Sequence, residues 1–491
     1  MLPHLDVTSM KITSVTDNCE KHVVTLHSLP YSKTHAHFAL MAGGHWLSGT
    51  NLSSIHRISR HKRRPRSKLM KRVLVLGAGI LGVHTAYFLR QRGYEVTVVD
   101  RQPGPALETS FANGSQISVS QSDPWASPHA PFKILKWLGK EDAPLLFRLR
   151  MDVNQWRWGL RFLYECLPSR AEHNTLQAMR LSEYSRRTLQ ALRHETGIEY
   201  DHAEAGIMMI HSNRRSFDDA AEAAQLLVRN GERRDVLTVA EAVKIEPALA
   251  HTAPTLAGAI YAPNDESGDA YKFTIALAER AAKLGVEFRY DTTIKRIERE
   301  GGAVSGVVVN ASDGTSETLK ADDYVVALGS YSTAMLAGAG VDALIYPAKG
   351  YSATLPIVNQ SGAPLGSITD DEMKIVFTTI GDRLRIAGTA ELNGFDTTLN
   401  PVRCEALTRR AKHHFPDLCD WGAVKYWTGL RPATPSNLPI IGQSKLKNLY
   451  LNTGHGTLGW TEGPGSAKAL ADIIEGNKPE VDYEFLGQPR A

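Results

Sequence analysis

The distribution of hydrophobic positions from residue 70 onwards begins as a β-α-β pattern. Residues 73–76 form a short β-branched apolar run, which predicts a buried strand. A glycine turn over residues 77–82 separates this run from helical spacing over residues 81–92, which stops at Gly93. Residues 95–100, with the sequence EVTVVD, predict a second strand. Two strands joined by a helix predict the start of a parallel sheet.

Further along the chain, helical and strand patterns are segregated. Residues 145–230 are mostly helical by pattern, whereas residues 286–329 contain several short strand patterns. Alternating apolar and polar positions over residues 345–430 are typical of an antiparallel sheet. A closing strand is predicted at residues 449–452, and a glycine-rich segment then leads into a final helix through Ile474. This order predicts an α/β protein in which a second, α+β region is inserted.

Residues 1–69 lack this periodicity and differ from the rest of the chain in charge. They contain ten Lys and Arg against three Asp and Glu, a net charge of +7, and end within the basic segment 56–72. They contain no apolar stretch with a small-residue cleavage site, so a secretory signal is not predicted, while a mitochondrial transit peptide stays open. We interpret residues 1–69 as an unstructured leader or an over-called start, with Met70 as the natural first residue.

The remaining residues, 70–491, carry a net charge of −3 within a whole-chain charge of +4. Because the body is slightly acidic, we expect no nucleic-acid partner. The length of 491 residues, with 42% hydrophobic and 22% charged positions, indicates roughly two to four globular domains. No run reaches the ~18 apolar residues that a membrane-spanning helix needs. We expect a cytoplasmic protein, and association with the inner face of the plasma membrane stays open.

The strongest local signal is the GxGxxG sequence at residues 77–82, which gains its meaning because it follows a predicted strand and opens a predicted helix. In such a dinucleotide-binding turn Gly77 permits the tight turn, Gly79 lets the backbone approach a pyrophosphate, and Gly82 lets helix and strand pack closely. The helix N-terminus supplies N–H groups for the phosphates. Asp100, at the end of the second strand, can accept hydrogen bonds from ribose hydroxyls.

Three further segments favour FAD over NAD as the dinucleotide. They are the small polar loop 109–116, the apolar strand 324–329 that ends in glycine, and the glycine-rich segment 454–460. A cofactor contacted by N-terminal, middle and C-terminal segments is extended, and no second GxGxxG motif suggests a separate NAD(P) site. The residues assigned to the cofactor are Val75, Leu76, Gly77, Ala78, Gly79, Ile80, Leu81, Gly82, Asp100, Arg101, Ser110, Asn113, Gly114, Gln116, Gly329, Gly454, His455, Gly456 and Thr457.

The segments VLVLGAGILGVHTAYFL, SFANGSQIS, WRWGLRFLYEC, TGLRPATPSNLPIIG and GHGTLGWT together resemble the D-amino-acid dehydrogenase small-subunit family. This family belongs to the flavin amine oxidoreductases, which include D-amino-acid oxidase, glycine oxidase and sarcosine oxidase. The resemblance extends from Met70 to about Phe485. It implies non-covalent FAD and oxidation of D-amino acids to 2-oxo acids and ammonia, with hydride passed to flavin N5. It also implies that a quinone or another respiratory component accepts the electrons.

The resemblance places Arg431, within TGLRP, at the superfamily position that holds the substrate carboxylate. A planar guanidinium suits that role because it binds a carboxylate with two parallel hydrogen bonds. Tyr351 is assigned as a second carboxylate contact, and a buried sheet tyrosine is the alternative. His455 lies in the glycine loop expected beside the flavin. We assign the function there to the backbone N–H groups, because hydride transfer from a neutral amine requires no dedicated base.

Other candidate sites are weaker. The four scattered cysteines form no CxxC or Cys/His cluster, which predicts free thiols and no zinc, and neither Cys404 nor Cys419 lies in a flavin-tethering motif. The acidic residues 265–269 are interpreted as a turn and helix start, so no metal site is predicted. The apolar positions Trp156, Leu160, Leu163 and Leu167 share one helical face, which predicts core packing, with membrane or quinone contact as the alternative.

Together these features predict a Rossmann-like FAD-binding domain built from residues 70–150, 240–335 and 430–485. An α+β substrate domain, formed by residues 151–239 and 336–429, is predicted to cover the flavin with its antiparallel sheet. Two rival functions stay open. One is an oxidase or demethylase of the same fold that acts on glycine, sarcosine or another amine and uses oxygen. The other is a flavin-bound accessory subunit without turnover, which the retained Arg431 argues against.

Overall fold

The computed structural model describes residues 41–42, 45–46, 70–137 and 139–488. The predicted leader therefore lies outside the described residues, apart from two short strands that pair with each other. The helices are α1 Ile80–Gln91, α2 Ala130–Trp137, α3 Val153–Glu165, α4 Pro168–Thr196, α5 Arg214–Arg229, α6 Val239–Ile245, α7 Ala270–Lys283, α8 Ser332–Gly338, α9 Pro401–His414 and α10 Gly459–Glu475.

The strands are β1 Met41–Ala42, β2 His45–Trp46, β3 Arg72–Leu76, β4 Glu95–Val99, β5 Gln116–Ile117, β6 Leu145–Phe147, β7 Ile207–His211, β8 Asp235–Leu237, β9 Gly258–Ala262, β10 Glu266–Ser267, β11 Glu287–Arg289, β12 Thr293–Glu300, β13 Ala303–Asn310, β14 Ser316–Leu319, β15 Asp323–Val326, β16 Tyr346–Pro356, β17 Ser367–Asp370, β18 Ile375–Ile380, β19 Arg383–Leu392, β20 Lys425–Ala433, β21 Ile440–Gln443 and β22 Leu449–Thr453. Short 3₁₀ turns connect several of them.

Six strands form the sheet that carries the glycine turn, in the order β11-β4-β3-β15-β22-β21. All neighbouring pairs are parallel except β21 and β22. The predicted β-α-β unit is confirmed as β3-α1-β4, with Leu76 paired to Val99 at the end where the glycine turn begins. The carboxyl ends of the parallel strands, where ligands bind in open α/β sheets, therefore gather around that turn.

The six-stranded sheet is buried on both faces, which explains the unbroken apolar run of its central strand. Val73 and Val75 point into a core shared with α1, α7 and α10. Leu74 and Leu76 point to the opposite side, into a core shared with the three-stranded sheet β12-β13-β14 and with α8. Alternate residues of one strand thus fill two different cores.

A second, larger sheet contains the substrate-side residues. Its strands follow the order β20-β16-β19-β18-β17-β7-β9-β8, and β6 pairs with β19 outside that path. Most pairs are antiparallel, as the alternating pattern over residues 345–430 predicts, and only β17/β7 and β19/β6 are parallel. The α/β fold class, with a parallel sheet beside a mostly antiparallel one, is confirmed. The predicted closing strand and final helix correspond to β22 and α10.

The expectation of a mostly helical segment over residues 145–230 is confirmed, although the segment also contains the strand β7. This strand, with the sequence IMMIH, is buried along its whole length and pairs with β9 and β17 inside the larger sheet. A strand that is buried on both faces shows no alternation, so its apolar run resembles a piece of buried helix. The segment also includes helices α3, α4 and α5, as the pattern predicts.

The prediction that the helical face with Trp156 and Leu160 packs in the core is wrong. In α3 the side chains that pack inwards are Trp158 and Phe162. Trp156 and Leu160 belong to the outer face, where they are 53% and 70% exposed. The helix therefore has apolar residues on two faces, and the sequence pattern alone does not indicate which face is buried.

The division into two discontinuous domains stays a prediction. Strand β9, within the segment 240–335 assigned to the cofactor domain, pairs in the larger sheet with β7 and β8. The short strand β5, which follows the polar loop after β4, contacts the larger sheet, because the Gln116 side chain donates hydrogen bonds to Ser367 and Thr369 at 2.9 and 3.0 Å.

A buried histidine on α1 makes the fold sensitive to acid. His84 stacks on Phe273 with 5.5 Å between ring centroids, and its Nδ1–H donates to the carbonyl of Ile80 at 2.7 Å. Among the described residues its Nε2 has no hydrogen-bond partner. Burial lowers the pKa of His84 to about 4, so the ring is neutral in the folded protein near pH 7.

We expect His84→Leu to flatten the acid side of the stability profile. Between about pH 6.5 and pH 4 the unfolded chain binds a proton that folded His84 does not, so stability falls as the pH falls, by about 1.4 kcal/mol per pH unit. Urea unfolding across this range measures the slope for both proteins. At pH 8 His84 is neutral in both the folded and the unfolded protein. A difference in the free energy of unfolding between the two proteins at this pH therefore reports packing alone. An equal slope in the variant would contradict the assignment.

Candidate active site

The glycine turn between β3 and α1 is built as the motif requires. Gly77 has a φ of +105°, and a Cβ there would lie 2.5 Å from the carbonyl oxygen of Ala327. A Cβ on Gly82 would lie 1.8 Å from the carbonyl oxygen of Gly77, so only glycine lets α1 approach β3 this closely. At Gly79 the nearest atom, Ser110 Oγ, is 3.6 Å from the Cβ position, which leaves the turn open towards the cavity described below.

The acidic residue at the end of β4 faces the same turn. Asp100 Oδ2 accepts a hydrogen bond from the N–H of Ala78 at 2.6 Å, and Oδ1 accepts one from Gln102 N–H at 2.9 Å. Burial raises the pKa of Asp100. Arg101 pairs with Glu108 and places its guanidinium 4.1 Å from the centre of the Tyr331 ring. The carboxylate is thus oriented by backbone groups while it lines the cavity.

The polar loop after β4 connects the glycine turn to the larger sheet. Ser110 Oγ accepts a hydrogen bond from Ile80 N–H at 3.2 Å, at the first turn of α1. The carbonyl of Asn113 accepts one from Arg385 of β19 at 3.1 Å, and the carbonyl of Gly114 accepts one from Thr378 of β18 at 2.9 Å. This loop therefore passes between the two sheets along the cavity wall.

The segment between β22 and α10 also lines the cavity. Gly454 and Gly456 have φ values of +84° and +52°, a conformation that favours glycine. His455 is buried, and its Nε2 shares a hydrogen bond with Ser466 Oγ at 3.0 Å. Burial lowers the pKa of His455 to about 3, so its imidazole stays neutral and is a poor base. The N-terminus of α10 follows at Gly459 and directs its positive end towards this loop.

Arg431 projects from β20 into the same cavity. Its Nη1 donates to the carbonyl of Thr389 at 2.8 Å, and within the described chain no carboxylate lies within 4.0 Å of its guanidinium. Burial and the neighbouring Arg403 lower the pKa of Arg431 to about 10, so it is a cation at neutral pH. A buried cation without a counter-ion is costly unless a ligand neutralises it.

Two features of the larger sheet position this guanidinium. It lies over Gly350 of β16, where a Cβ would come within 2.2 Å of Nη1. The ladder between β16 and β19 is interrupted by a bulge, and Thr389 there has a φ of +56°, which is rare for a β-branched residue. The bulge directs the Thr389 carbonyl to Arg431. Sequence reasoning missed both Gly350 and Thr389, although Gly350 directly precedes the assigned Tyr351.

The Tyr351 hydroxyl already has a protein partner. It donates to Glu391 Oε2 at 2.6 Å, and Glu391 also pairs with Lys349 at 3.1 Å and Arg148 at 3.0 Å. Burial and this hydrogen bond raise the pKa of Tyr351. Burial acts to raise the pKa of Glu391, but the hydrogen bonds from Tyr351 and Lys349 outweigh it and lower that pKa. Tyr351 is thus a buried sheet tyrosine that also lines the cavity.

One elongated cavity of about 2220 Å³ joins these groups. Pockets for drug-sized ligands have roughly 300–1,000 Å³, so this cavity has room for an extended dinucleotide together with a substrate. The sequence-predicted residues that line it are Gly77, Gly79, Ile80, Leu81, Asp100, Arg101, Ser110, Asn113, Gly114, Gln116, Gly329, Tyr351, Arg431, His455, Gly456 and Thr457. The predicted residues that do not line it are Val75, Leu76, Ala78, Gly82 and Gly454.

Two observations fit an extended dinucleotide in this cavity. The first is the open space at Gly79, at the N-terminus of α1, where a phosphate group can meet backbone N–H donors. The second is Nδ1 of the cavity-lining His455, which is buried without a hydrogen-bond partner among the described residues. A buried polar atom of this kind indicates a missing ligand group.

Other candidate groups lie outside the cavity. Cys166, Cys404 and Cys419 are buried free thiols that do not line it, which favours a cofactor held without a covalent bond to any of these three. Asp269 caps α7 by accepting hydrogen bonds from two backbone N–H groups, so the predicted helix start is confirmed. In the described residues, no cluster of three or more His, Cys, Asp or Glu side chains is arranged to hold a metal ion. No described helix is long and apolar enough to span a membrane.

Comparison with known proteins assigns the chain to a family. The family model of DAO, the FAD dependent oxidoreductases, matches residues 72–473. The chain belongs to this family of FAD-dependent oxidoreductases, which confirms the enzyme class, the cofactor and the superfamily resemblance indicated by the motifs.

Relatives and solved structures extend the comparison. The chain is 54% identical over 415 residues to a D-amino acid dehydrogenase of Dechloromonas aromatica (strain RCB), covering 84% of this chain and 99% of that protein. It is 49% identical over 420 residues to a D-amino acid dehydrogenase of Paramagnetospirillum magneticum, covering 85% and 98%. A glycine oxidase from Bacillus cereus ATCC 14579 matches in structure with a TM-score of 0.62 and 25% identity, covering 83% of this chain and 95% of that one.

We expect Gly79→Val to abolish cofactor binding without unfolding the protein. The Cβ position has only ordinary contact distance to Ser110, so the fold tolerates a side chain that blocks the approach of a phosphate. Flavin absorbance of the purified protein measures the loss. The matched control is Gly104→Val, where the nearest atom to a Cβ is 3.7 Å away and which lies outside the cavity lining. Normal flavin content in the Gly79 variant would show that this turn is not the phosphate site.

Proposed function

We propose that this protein catalyses the FAD-dependent oxidative deamination of D-amino acids to 2-oxo acids and ammonia. The observation that carries the proposal is the Arg431 guanidinium, which lines the cofactor cavity without a carboxylate partner in the described chain. An amino acid supplies that carboxylate. The two relatives at 54% and 49% identity, both named D-amino acid dehydrogenase, support the same substrate class.

Arg431 binds the substrate carboxylate and fixes the position of the substrate Cα. Of its donors, Nη1 is used by the Thr389 carbonyl, and the remaining guanidinium N–H groups are available to the substrate. Tyr351 lines the cavity while its hydroxyl donates to Glu391, so the ring of Tyr351 is the second contact that we assign to the substrate. When bound, FAD supplies the hydride acceptor, and water then hydrolyses the imine product to the 2-oxo acid and ammonia.

The backbone around His455 provides the electrostatic environment for the reaction. The loop around His455 lines the cavity and leads into the N-terminus of α10. N–H groups and a helix N-terminus stabilise negative charge that develops nearby. The imidazole takes no proton from the substrate in this proposal, because its pKa of about 3 keeps it neutral.

We further propose that the electrons leave through a quinone or another component of the respiratory chain. The protein then acts in the cytoplasm at the inner face of the plasma membrane, where such acceptors are reduced. The same-fold oxidase that uses oxygen is the competing function, and the B. cereus glycine oxidase represents it at 25% identity. The higher identity to proteins named dehydrogenase favours the respiratory acceptor.

An anaerobic reduction experiment tests the proposed function. Holoenzyme mixed with D-alanine in the absence of oxygen should lose its flavin absorbance, and L-alanine should leave it unchanged. In air, with an artificial acceptor present, D-alanine turnover should yield little hydrogen peroxide. Rapid peroxide formation with glycine or sarcosine would favour the oxidase, and absence of bleaching with every amino acid would favour an accessory subunit.

Arg431→Ala is expected to retain FAD and to lose activity on D-amino acids. Removing one partner of a buried charge pair costs about 3–5 kcal/mol, which corresponds to about two to four decades in kcat/KM. Arg431→Lys should recover only part of the loss, because an ammonium cannot form the two parallel hydrogen bonds. Amines without a carboxylate serve as the control substrate class. Turnover of D-alanine within about threefold of the parent would mean that the carboxylate binds elsewhere.

Gly350→Ala should have a similar but smaller effect by displacing the guanidinium. The added Cβ overlaps the flexible end of Arg431, so the arginine moves while the sheet remains intact. We expect kcat/KM on D-alanine to fall by about 100-fold, the cost of a misplacement of about 1 Å. Flavin content and melting temperature should not change. Gly422→Ala, where a Cβ has ordinary contact distances, is the matched control. Full activity in the Gly350 variant would contradict the position of Arg431.

A further inference from the structure

Thr389, in β19, carries a buried hydroxyl that the protein itself does not use. Its side chain is only 6% exposed and the residue lines the cavity. Among the described residues its Oγ1 has no hydrogen-bond partner. Its backbone groups are both used, because the N–H donates to the carbonyl of Lys374 at 3.4 Å and the carbonyl accepts from Arg431 at 2.8 Å. A buried hydroxyl that is left over in this way indicates a partner that a ligand supplies.

The backbone conformation of Thr389 indicates that its side chain has a use. The φ of +56° lies in the region that favours glycine and is rare for a β-branched residue. Gly388, directly before it, has no room for a side chain, because a Cβ there would lie 2.7 Å from the Lys374 carbonyl oxygen. At position 389 glycine would relieve the backbone, yet the residue is threonine. Strained backbone of this kind clusters at sites that bind ligands.

Other polar groups on this wall already have protein partners. The hydroxyl of Tyr351, which pairs with Gly388 across the ladder, donates to Glu391 at 2.6 Å. Glu391 also pairs with Lys349 and Arg148 at 3.1 and 3.0 Å. The Thr389 hydroxyl remains available, and a hydroxyl oxygen can accept a hydrogen bond from an amine N–H.

Thr389 also lies in the right place for an amine. Its carbonyl contacts the Arg431 guanidinium, so the hydroxyl of the same residue lies in the same corner of the cavity. An α-amino acid carries its amine on the carbon that bears the carboxylate. A substrate whose carboxylate is bound by Arg431 therefore brings its amine into this corner.

We propose that the Thr389 hydroxyl accepts a hydrogen bond from the α-amine of the substrate whose carboxylate Arg431 binds. The inference rests on the proposed function, whose substrate supplies both groups. As a hydride leaves the Cα for the cofactor, the nitrogen lone pair forms the C=N bond and the nitrogen becomes positively charged. Its N–H groups are then stronger donors, so the hydrogen bond to Oγ1 strengthens in the transition state. Thr389 thus binds the amine and raises kcat.

A pair of unreactive ligands tests the contact by binding alone. The first, α-aminoisobutyrate, has the carboxylate and the amine but no Cα hydrogen, so it cannot be oxidised. The second, pivalate, has a methyl group in place of the amine. Each is titrated into the holoenzyme, and the change in flavin absorbance is measured. We expect Thr389→Val to weaken the binding of α-aminoisobutyrate about tenfold, as for the loss of one buried hydrogen bond. Pivalate should bind unchanged, which shows that Arg431 has kept its position.

Turnover of D-alanine tests the role in the transition state. Thr389→Val should lower kcat at least about tenfold, with normal flavin content and melting temperature. Thr389→Ser retains the hydroxyl and should restore both kcat and the binding of α-aminoisobutyrate. The matched control is Thr379→Val in β18, whose hydroxyl donates to the Pro364 carbonyl at 2.8 Å and does not line the cavity. This control should keep the parent's kcat and its affinity for both ligands.

The outcomes separate this proposal from the proposed function. Equal weakening of both ligands by Thr389→Val would overturn the amine contact, because the hydroxyl would then serve the carboxylate or the position of Arg431. Unchanged binding of both ligands would overturn it as well, and so would a serine variant that behaves like the valine variant. A parent flavin that D-alanine does not reduce would refute the proposed function, while the comparison of the two ligands would still decide the amine contact. A parent that binds neither ligand would overturn both.

Discussion

The close contact between Gly82 and the Gly77 carbonyl is the constraint on which the site depends. A Cβ at Gly82 would lie 1.8 Å from that carbonyl oxygen, which leaves no room for any side chain. The contact lets the first turn of α1 pack closely against β3, so the N-terminus of the helix lies at the carboxyl end of the parallel strands. Asp100 then reaches the N–H of Ala78, and Ser110 reaches that of Ile80. Gly77 and Gly79 of this turn line the cavity, so the backbone itself forms the cavity wall there.

Segments next to the glycine turn also position Arg431, the residue proposed to bind the substrate carboxylate. The carbonyl of Leu430, directly before Arg431, accepts hydrogen bonds from Thr109 at 2.8 Å and Ser330 at 3.0 Å. Both hydroxyls come from segments that follow strands of the six-stranded sheet. Gln116, which follows the loop that contains Thr109, donates side-chain hydrogen bonds to Ser367 and Thr369 of the larger sheet. Short polar contacts thus connect the glycine turn, where the cofactor is expected, with the strand that carries Arg431. A shift of one sheet would therefore move Arg431 relative to the glycine turn.

Sequence reasoning succeeded where chemistry is encoded in local spacing. The GxGxxG turn, the β-α-β unit and the helix start at Asp269 all depend on neighbours within a few residues, and each is present in the structure. It failed where burial depends on distant segments. β7 has no alternation because both faces are covered, and α3 carries apolar residues on two faces of which only one meets the core. Gly350 and Thr389 were missed because their importance arises only when β16, β19 and β20 lie side by side.

In the proposed function, the charges around Arg431 select the carboxylate of the substrate. The Glu391 carboxylate pairs with Lys349 and Arg148, and Arg403 is a further buried cation that acts on Arg431. The charge beside Arg431 is therefore positive, which attracts a carboxylate and disfavours an ammonium group at this position. That balance favours the neutral amine, which is the form from which a hydride can leave. Once two hydrogen bonds hold the carboxylate and the Cα–H points to the cofactor, the amine and the side chain can exchange places only by inverting the stereocentre. The choice between D and L substrates then falls to the remaining walls, where Trp427 and Tyr351 line the cavity.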